Sequence, residues 1–145
     1  MTIRRPLTAV ASVAAVAAVL APAPARADPP ARPPDAPRYI DHVQWVRQGD
    51  RSTLRIFPTP WGWAGAGMFT NGAQSYDAWN ELLENAPEAD SQTMLNQFLC
   101  YWQLASFTNP AKVGTWNLEP WRPVVSNTIM INSGCNPGGP DEAFD

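Results

Sequence analysis

Two segments in the middle of the chain carry apolar residues at helical spacing. The first runs over residues 74–85, and its apolar positions are Tyr76, Trp79, Leu82 and Leu83. Its acidic residues fall outside that stripe, and they are Asp77, Glu81 and Glu84. The pattern predicts a helix that Ser75 caps and that Pro87 ends.

The second segment starts near Asp90 or Ser91. Its apolar residues recur three and four positions apart and are Met94, Leu95, Phe98, Leu99, Trp102 and Ala105. We predict a second helix, with Cys100 beside the apolar stripe. A strand over residues 98–105 is the alternative, because aromatic residues are common in strands.

Alternating residues precede these helices. Residues 38–47 and 52–57 are rich in strand-forming side chains, and Gln48 to Arg51 is a turn signal. The pattern predicts a β-hairpin. Its second strand should stop at Pro58, because proline supplies no N–H to a strand ladder.

Four further segments complete the predicted fold. Residues 61–72 are rich in glycine and predict a partly apolar loop. Residues 115–123 contain two prolines and predict a rigid extended loop, since proline interrupts a helix. Residues 126–132 suit a short strand and residues 134–139 a tight turn. We predict a small single α+β domain with an N-terminal hairpin, two helices and further short strands.

The N-terminus has the features of an export signal. Arg4 and Arg5 precede an apolar run of 12 residues, 9–20, which is too short for a membrane helix of about 20 residues. Ala25-Arg26-Ala27 fits a cleavage site, so residues 1–27 are the predicted signal peptide. General secretion is the preferred route, and twin-arginine export is the alternative.

The predicted mature chain divides into three parts. Residues 28–37 form a proline-rich linker, residues 38–139 the domain and residues 140–145 an acidic tail. This chain retains 7 basic and all 13 acidic residues, a net charge of −6. The acidity argues against nucleic acid and anionic lipid as partners. No stable membrane span is expected in the mature chain.

The two cysteines, Cys100 and Cys135, should form one disulfide in an exported protein. Two free thiols are the alternative. With His42, the single histidine of the chain, the cysteines provide too few ligands for a zinc site, so no metal or cofactor is expected.

The segment Trp116-Asn117-Leu118-Glu119-Pro120-Trp121-Arg122-Pro123 lies between these cysteines. With Gln97-Phe98 and Cys135-Asn136-Pro137 it resembles DUF2599, a family of small secreted actinobacterial proteins, over roughly residues 39–138. The resemblance implies export and a disulfide-linked domain, and it implies no activity. Members of the family often have a histidine after the first cysteine, whereas this chain has Tyr101.

The sequence offers few candidate catalytic residues. Glu119 could serve as the acid of a glycan hydrolase, with Asp41, Asp77 or Glu81 as a second carboxylate. The preferred interpretation is that Glu119 and Arg122 form a buried structural pair. His42 would be the base of any serine–histidine site, but no G-x-S-x-G frame exists, and Asp41 should point to the opposite side of the strand.

All seven tryptophans lie outside the predicted signal peptide. Trp61 and Trp63, in the glycine-rich segment, are the best candidates for an exposed ligand-binding pair, and Trp116 and Trp121 are further binding candidates. Packing in the core is the alternative for each. The sequence favours a secreted, non-enzymatic binding or cell-envelope accessory protein, whose partner would be an envelope glycan or protein. The alternative is a secreted hydrolase of cell-wall or glycan material.

Overall fold

The computed structural model of the protein describes residues 35–67 and 72–139. The predicted signal peptide, most of the linker and the acidic tail lie outside these residues. The elements, in chain order, are β1 (Ile40–Gln48), β2 (Arg51–Pro58), α1 (Pro60–Gly65), α2 (Gly72–Asn85), α3 (Gln92–Leu104), α4 (Pro110–Val113), β3 (Trp116–Leu118) and α5 (Asn127–Asn132). The α+β class is confirmed.

The strands form an antiparallel sheet in the order β1-β2-β3. β1 and β2 form the predicted hairpin, which ends with Gln48 opposite Arg51. Gly49 takes a φ of 58° in the turn, a conformation that glycine adopts without strain. β3 aligns Trp116 with Ile56 across the sheet. The segment expected to be a loop therefore begins as a third strand.

Large aromatic side chains fill the core between the sheet and the long helices α2 and α3. The fully buried members with the largest volumes include Trp102, Trp116, Phe98, Ile40, Leu54 and Ile56. Trp116 makes edge contacts with Phe98 and Trp102, at centroid distances of 5.8 and 6.0 Å. The apolar stripe of α3 thus packs on the strand that begins the central segment.

Both predicted helices are present. Ser91 caps α3 by accepting a hydrogen bond from the Met94 amide at 3.4 Å, and the helix continues to Leu104. The alternative of a strand over residues 98–105 is therefore wrong. Ser75 does not cap α2, because it lies inside the helix and donates to the Gly72 carbonyl at 2.8 Å.

The glycine-rich segment expected to be a loop begins as helix α1. The Thr59 hydroxyl accepts a hydrogen bond from the Gly62 amide at 2.9 Å, and Pro60 occupies the first helical turn. Gly62 lies so close to β1 that a Cβ there would be 2.1 Å from the Tyr39 carbonyl oxygen. Close packing against the hairpin, rather than the flexibility of a loop, accounts for that glycine.

Residues 126–132 also differ from the prediction. They form helix α5, in which the Ser126 hydroxyl accepts from the Ile129 amide at 3.4 Å and Met130 is buried. The cap and the burial of Met130 outweigh the strand propensity of the isoleucines. Ile129 and Ile131 are therefore exposed.

The disulfide between Cys100 and Cys135 is confirmed. It links α3 to the turn after α5, and Met130 packs beside it. None of the helices within the described ranges is long and apolar enough to cross a membrane.

Candidate functional site

Glu119 and Arg122 form an ion pair inside the protein. The Arg122 Nε donates to the Glu119 Oε2 at 2.6 Å, and both side chains have 0% exposure. The three-residue spacing lets the pair form because the chain turns at Pro120, where the Arg122 amide donates to the Glu119 carbonyl. This arrangement matches the structural interpretation of these two residues.

Helix α3 holds the backbone on both sides of this pair. The Gln97 side chain accepts from the Glu119 amide at 3.0 Å and donates to the Glu119 carbonyl at 2.9 Å. The Thr93 hydroxyl donates to the Arg122 carbonyl at 2.9 Å. Thr93 and Gln97 lie one helical turn apart, so a single face of α3 fixes the segment.

Arg122 also reaches the segment after the disulfide. Its Nη1 donates to the Pro137 carbonyl at 3.2 Å and to the Gly139 carbonyl at 2.8 Å. The guanidinium thus joins the central segment to the C-terminal turn, which the disulfide already ties to α3. We call Thr93, Gln97, Glu119 and Arg122 the buried clasp. Its carboxylate presents no surface to a substrate, since Glu119 is 0% exposed.

His42 and Asp41 lie together on the surface. The expectation that they point to opposite sides is wrong, because the pairing register shifts between Ile40 and His42. The His42 Nδ1 is 2.7 Å from the Asp41 carboxylate, and both side chains are more than half exposed. The ring of His42 stacks on Phe57, with the centroids 4.0 Å apart. The irregular register accounts for this exposed pair.

Glu81 does not belong to the outer face of α2, where its spacing placed it. Its side chain is 4% exposed and accepts from the Tyr39 and Ile40 amides at 3.1 and 3.0 Å. Arg38 adds a contact at 3.2 Å. Glu81 therefore anchors the start of β1 to α2. Asp77, the other acid considered on this helix, is half-buried.

The Glu81→Gln variant should be less stable by about 1–3 kcal/mol, because an amide replaces one of the oxygens that accept from buried N–H groups. Chemical denaturation measures the change. Glu84→Gln is the matched control on the same helix: its side chain is 71% exposed, so its change should be under about 1 kcal/mol. Equal stability of the two variants would show that Glu81 is not needed to anchor β1.

The four tryptophans proposed for binding lie in different environments. Trp61 is 50% exposed, whereas Trp116 is 1% exposed. Trp63 is half-buried and packs edge-on against Trp116 at 5.1 Å. Two guanidinium groups lie over the Trp121 ring, that of Arg51 at 4.2 Å and that of Arg122 at 4.5 Å from the ring centroid. Cation–π contact thus connects Trp121 to the clasp and to the hairpin turn.

A cleft of about 350 Å³ opens beside the central segment. Its lining residues come from α3, α4, β3 and the neighbouring loops and are Tyr101, Leu104, Thr108, Val113, Thr115, Trp116, Asn117 and Asn136. We call it the Tyr101 cleft. The Tyr101 hydroxyl donates to the Asn136 side-chain oxygen at 3.1 Å, and the Thr115 hydroxyl donates to the Asn117 oxygen at 3.2 Å.

Sequence reasoning named Tyr101, Asn117 and Asn136 within the family resemblance but did not assign them to a binding site. Tyr101 follows the first cysteine, Asn117 follows Trp116, and Asn136 follows the second cysteine. Their positions within or directly after the segments that carry the resemblance were the available signal. The disulfide brings the first and last of these segments together. Within residues 35–67 and 72–139, no three His, Cys, Asp or Glu side chains group as a metal site.

The family model described as "Protein of unknown function (DUF2599)" matches residues 40–138. The chain belongs to the DUF2599 family. The matched DUF2599 region includes the hairpin, the buried clasp, the disulfide and the Tyr101 cleft.

Mycobacterial proteins are similar to this DUF2599 chain. An uncharacterized protein of Mycobacterium tuberculosis (strain H37Rv) is 46% identical over 112 residues, which cover 77% of this chain and 74% of the relative. An uncharacterized protein of Mycobacterium leprae is 36% identical over 100 residues, which cover 69% of this chain and 80% of the relative. No solved structure matches significantly.

Proposed function

We propose that this DUF2599 protein is an exported, non-enzymatic binding domain of the cell envelope and that the Tyr101 cleft holds its ligand. The observation that carries the proposal is the division of roles between two neighbouring groups of residues. The charged residues of the central segment are buried in the clasp, whereas the neutral polar residues beside it line an open cleft.

The clasp supports binding over hydrolysis. A general acid must come within hydrogen-bond reach of the bond that it cleaves. Glu119 is instead enclosed and paired with Arg122, and its backbone is held by Gln97. These contacts are those of a buried structural ion pair, in which Glu119 Oε2 accepts from Arg122 while Oε1 is buried without a hydrogen-bond donor among the described residues.

The cleft has the composition of a binding site. Small-ligand sites combine apolar surface with a few placed polar groups in clefts of about 300–1,000 Å³. The Tyr101 cleft lies at the lower end of that range and pairs Trp116, Leu104 and Val113 with hydroxyl and amide groups. Export is supported by the disulfide, which forms in oxidising compartments, and by the signal-like features of residues 1–27.

Expression of the full chain in a secreting bacterial host tests both parts of the proposal. The protein recovered from the medium should begin at Asp28, as read by mass spectrometry. It should sediment with insoluble cell-envelope material without releasing soluble fragments from it. The Val113→Trp variant, which fills the cleft, should bind at least about fivefold more weakly, because the ligand loses its contact surface.

Val124→Trp is the matched control, since Val124 is an exposed valine outside the cleft lining. It should bind like the parent. Equal binding by the two tryptophan variants, or no binding by the parent, would overturn the assignment of the cleft. Release of soluble glycan fragments by the parent would show that the protein is a hydrolase rather than a binding domain.

A further inference from the structure

We propose that the Tyr101 cleft recognises a neutral sugar ring, a ligand class inferred on the basis of the binding function proposed above. Two features of the lining indicate this ligand class: its lack of charge and its division into apolar and polar groups. Each restricts the chemistry that the cleft can accept.

The lining is uncharged. Its eight residues include no acidic or basic side chain, although the chain as a whole has 13 acidic and 10 basic residues. A phosphate or carboxylate is usually met by arginine, often through two parallel hydrogen bonds. An ionic ligand in this cleft would lose water without gaining a counter-charge, which is unfavourable. The cleft therefore favours a neutral ligand.

The hydrogen-bonding groups suit hydroxyls. A tyrosine or threonine hydroxyl can donate one hydrogen bond and accept two, and an asparagine side chain both donates and accepts. The cleft combines one tyrosine, two threonines and two asparagines. The three hydroxyls donate to the Asn136 and Asn117 side chains and to the Ala105 carbonyl, so their oxygens offer acceptors, and the asparagine NH2 groups supply donors. A sugar presents the same mixture, because each of its hydroxyls donates and accepts.

The apolar part of the lining suits the C–H face of a sugar. Leu104, Val113 and Trp116 supply it; Val113 is 41% exposed, whereas Trp116 is 1% exposed and presents little surface.

A neutral peptide is the competing ligand class, because β3 lies at one edge of the described sheet. Peptides that add to a sheet edge are held mainly by backbone hydrogen bonds. β3 spans three residues, Trp116–Leu118, which limits the number of such bonds. The cleft is instead rich in side-chain hydroxyls and amides, and these favour the sugar.

Titration of the isotope-labelled oxidised protein, observed by NMR, tests the proposal. The probes are glucose, galactose, mannose and N-acetylglucosamine, with glucuronic acid and glucosamine as charged analogues. At least one neutral sugar should shift the signals of Tyr101, Asn117 and Asn136 with a dissociation constant on the order of 1 mM, as expected for one small ring in an open cleft. The charged analogues should bind at least about tenfold more weakly.

Tyr101→Phe should weaken binding of that sugar by about five- to tenfold, because it removes one hydroxyl from the cleft. Tyr76→Phe is the matched control, since Tyr76 is an exposed tyrosine on α2 outside the lining, and it should bind like the parent. Thr115→Val is a second cleft variant, and it should also weaken binding of that sugar. Thermal unfolding of each variant verifies that it is folded.

Three results would overturn the sugar assignment: no shifts in the cleft with any neutral sugar, equal affinity of the two phenylalanine variants, or shifts produced only by a neutral capped tetra-alanine peptide. Envelope binding that Val113→Trp abolishes would still support the proposed function in each case. Absence of both sugar binding and envelope binding would overturn the two together.

Discussion

Replacing Glu119 with glutamine should lower the free energy of unfolding by about 3–5 kcal/mol. The variant keeps the size of the side chain but removes the negative charge that lies 2.6 Å from Arg122, where neither side chain is exposed. A guanidinium buried without its counter-charge keeps its desolvation cost and loses the Coulomb attraction that offset it. Chemical denaturation of the oxidised protein measures the effect, and Tm should fall by at least about 10 °C.

Glu84→Gln provides the exposed-acid control for this measurement, with an expected change under about 1 kcal/mol. The double variant Glu119→Gln/Arg122→Met should lose less stability than the two single variants combined, because the residues of a direct ion pair are coupled. An unchanged or raised Tm in Glu119→Gln would mean that the carboxylate does not stabilise the clasp. A functional role for Glu119 would then become the better explanation, and glycan hydrolysis would be the reaction to assay.

Removing the disulfide by Cys100→Ala/Cys135→Ala should lower the free energy of unfolding by about 4 kcal/mol. The bond closes a loop with a sequence separation of 35, so its loss gives the unfolded chain more conformations. It also frees the turn after α5, to which Arg122 donates its hydrogen bonds at Pro137 and Gly139. Denaturation curves measure the stability, and hydrogen exchange should accelerate most in α5.

Adding a reductant to the parent should reproduce the stability of the double cysteine variant. The same reductant should leave the variant itself unchanged, because it contains no cysteine to reduce. Equal stability of the oxidised and reduced parent would show that the clasp and the aromatic core hold the C-terminal turn without the covalent link.

Local patterns were sufficient to predict the hairpin and the two long helices. The alternation before Pro58 and the apolar stripe of α3 each reflect burial of one side of an element, and that signal is contained in neighbouring residues. The same kind of reasoning was wrong for residues 126–132. There the strand propensity of isoleucine was weaker than the Ser126 cap and the burial of Met130.

Glu81 shows the limit of such patterns most directly. Its spacing assigns it to the polar side of α2, but the start of β1 lies against it and supplies two backbone donors. Those donors come from residues more than 40 positions away. An acidic residue on the polar face of an isolated helix becomes buried when another element packs over that face. The contact exists only in the assembled domain.

The sequence by itself determined the family, the α+β class, the helical stripes and the pair of cysteines available for one disulfide. The tertiary structure decided which charged residues are enclosed and which polar residues line a cleft. Tyr101, Asn117 and Asn136 are separated along the chain, and they meet because β3 packs on α3 and the disulfide returns the C-terminal turn to that helix. Burial and proximity depend on the packing of distant segments, so no local pattern of residues contains them.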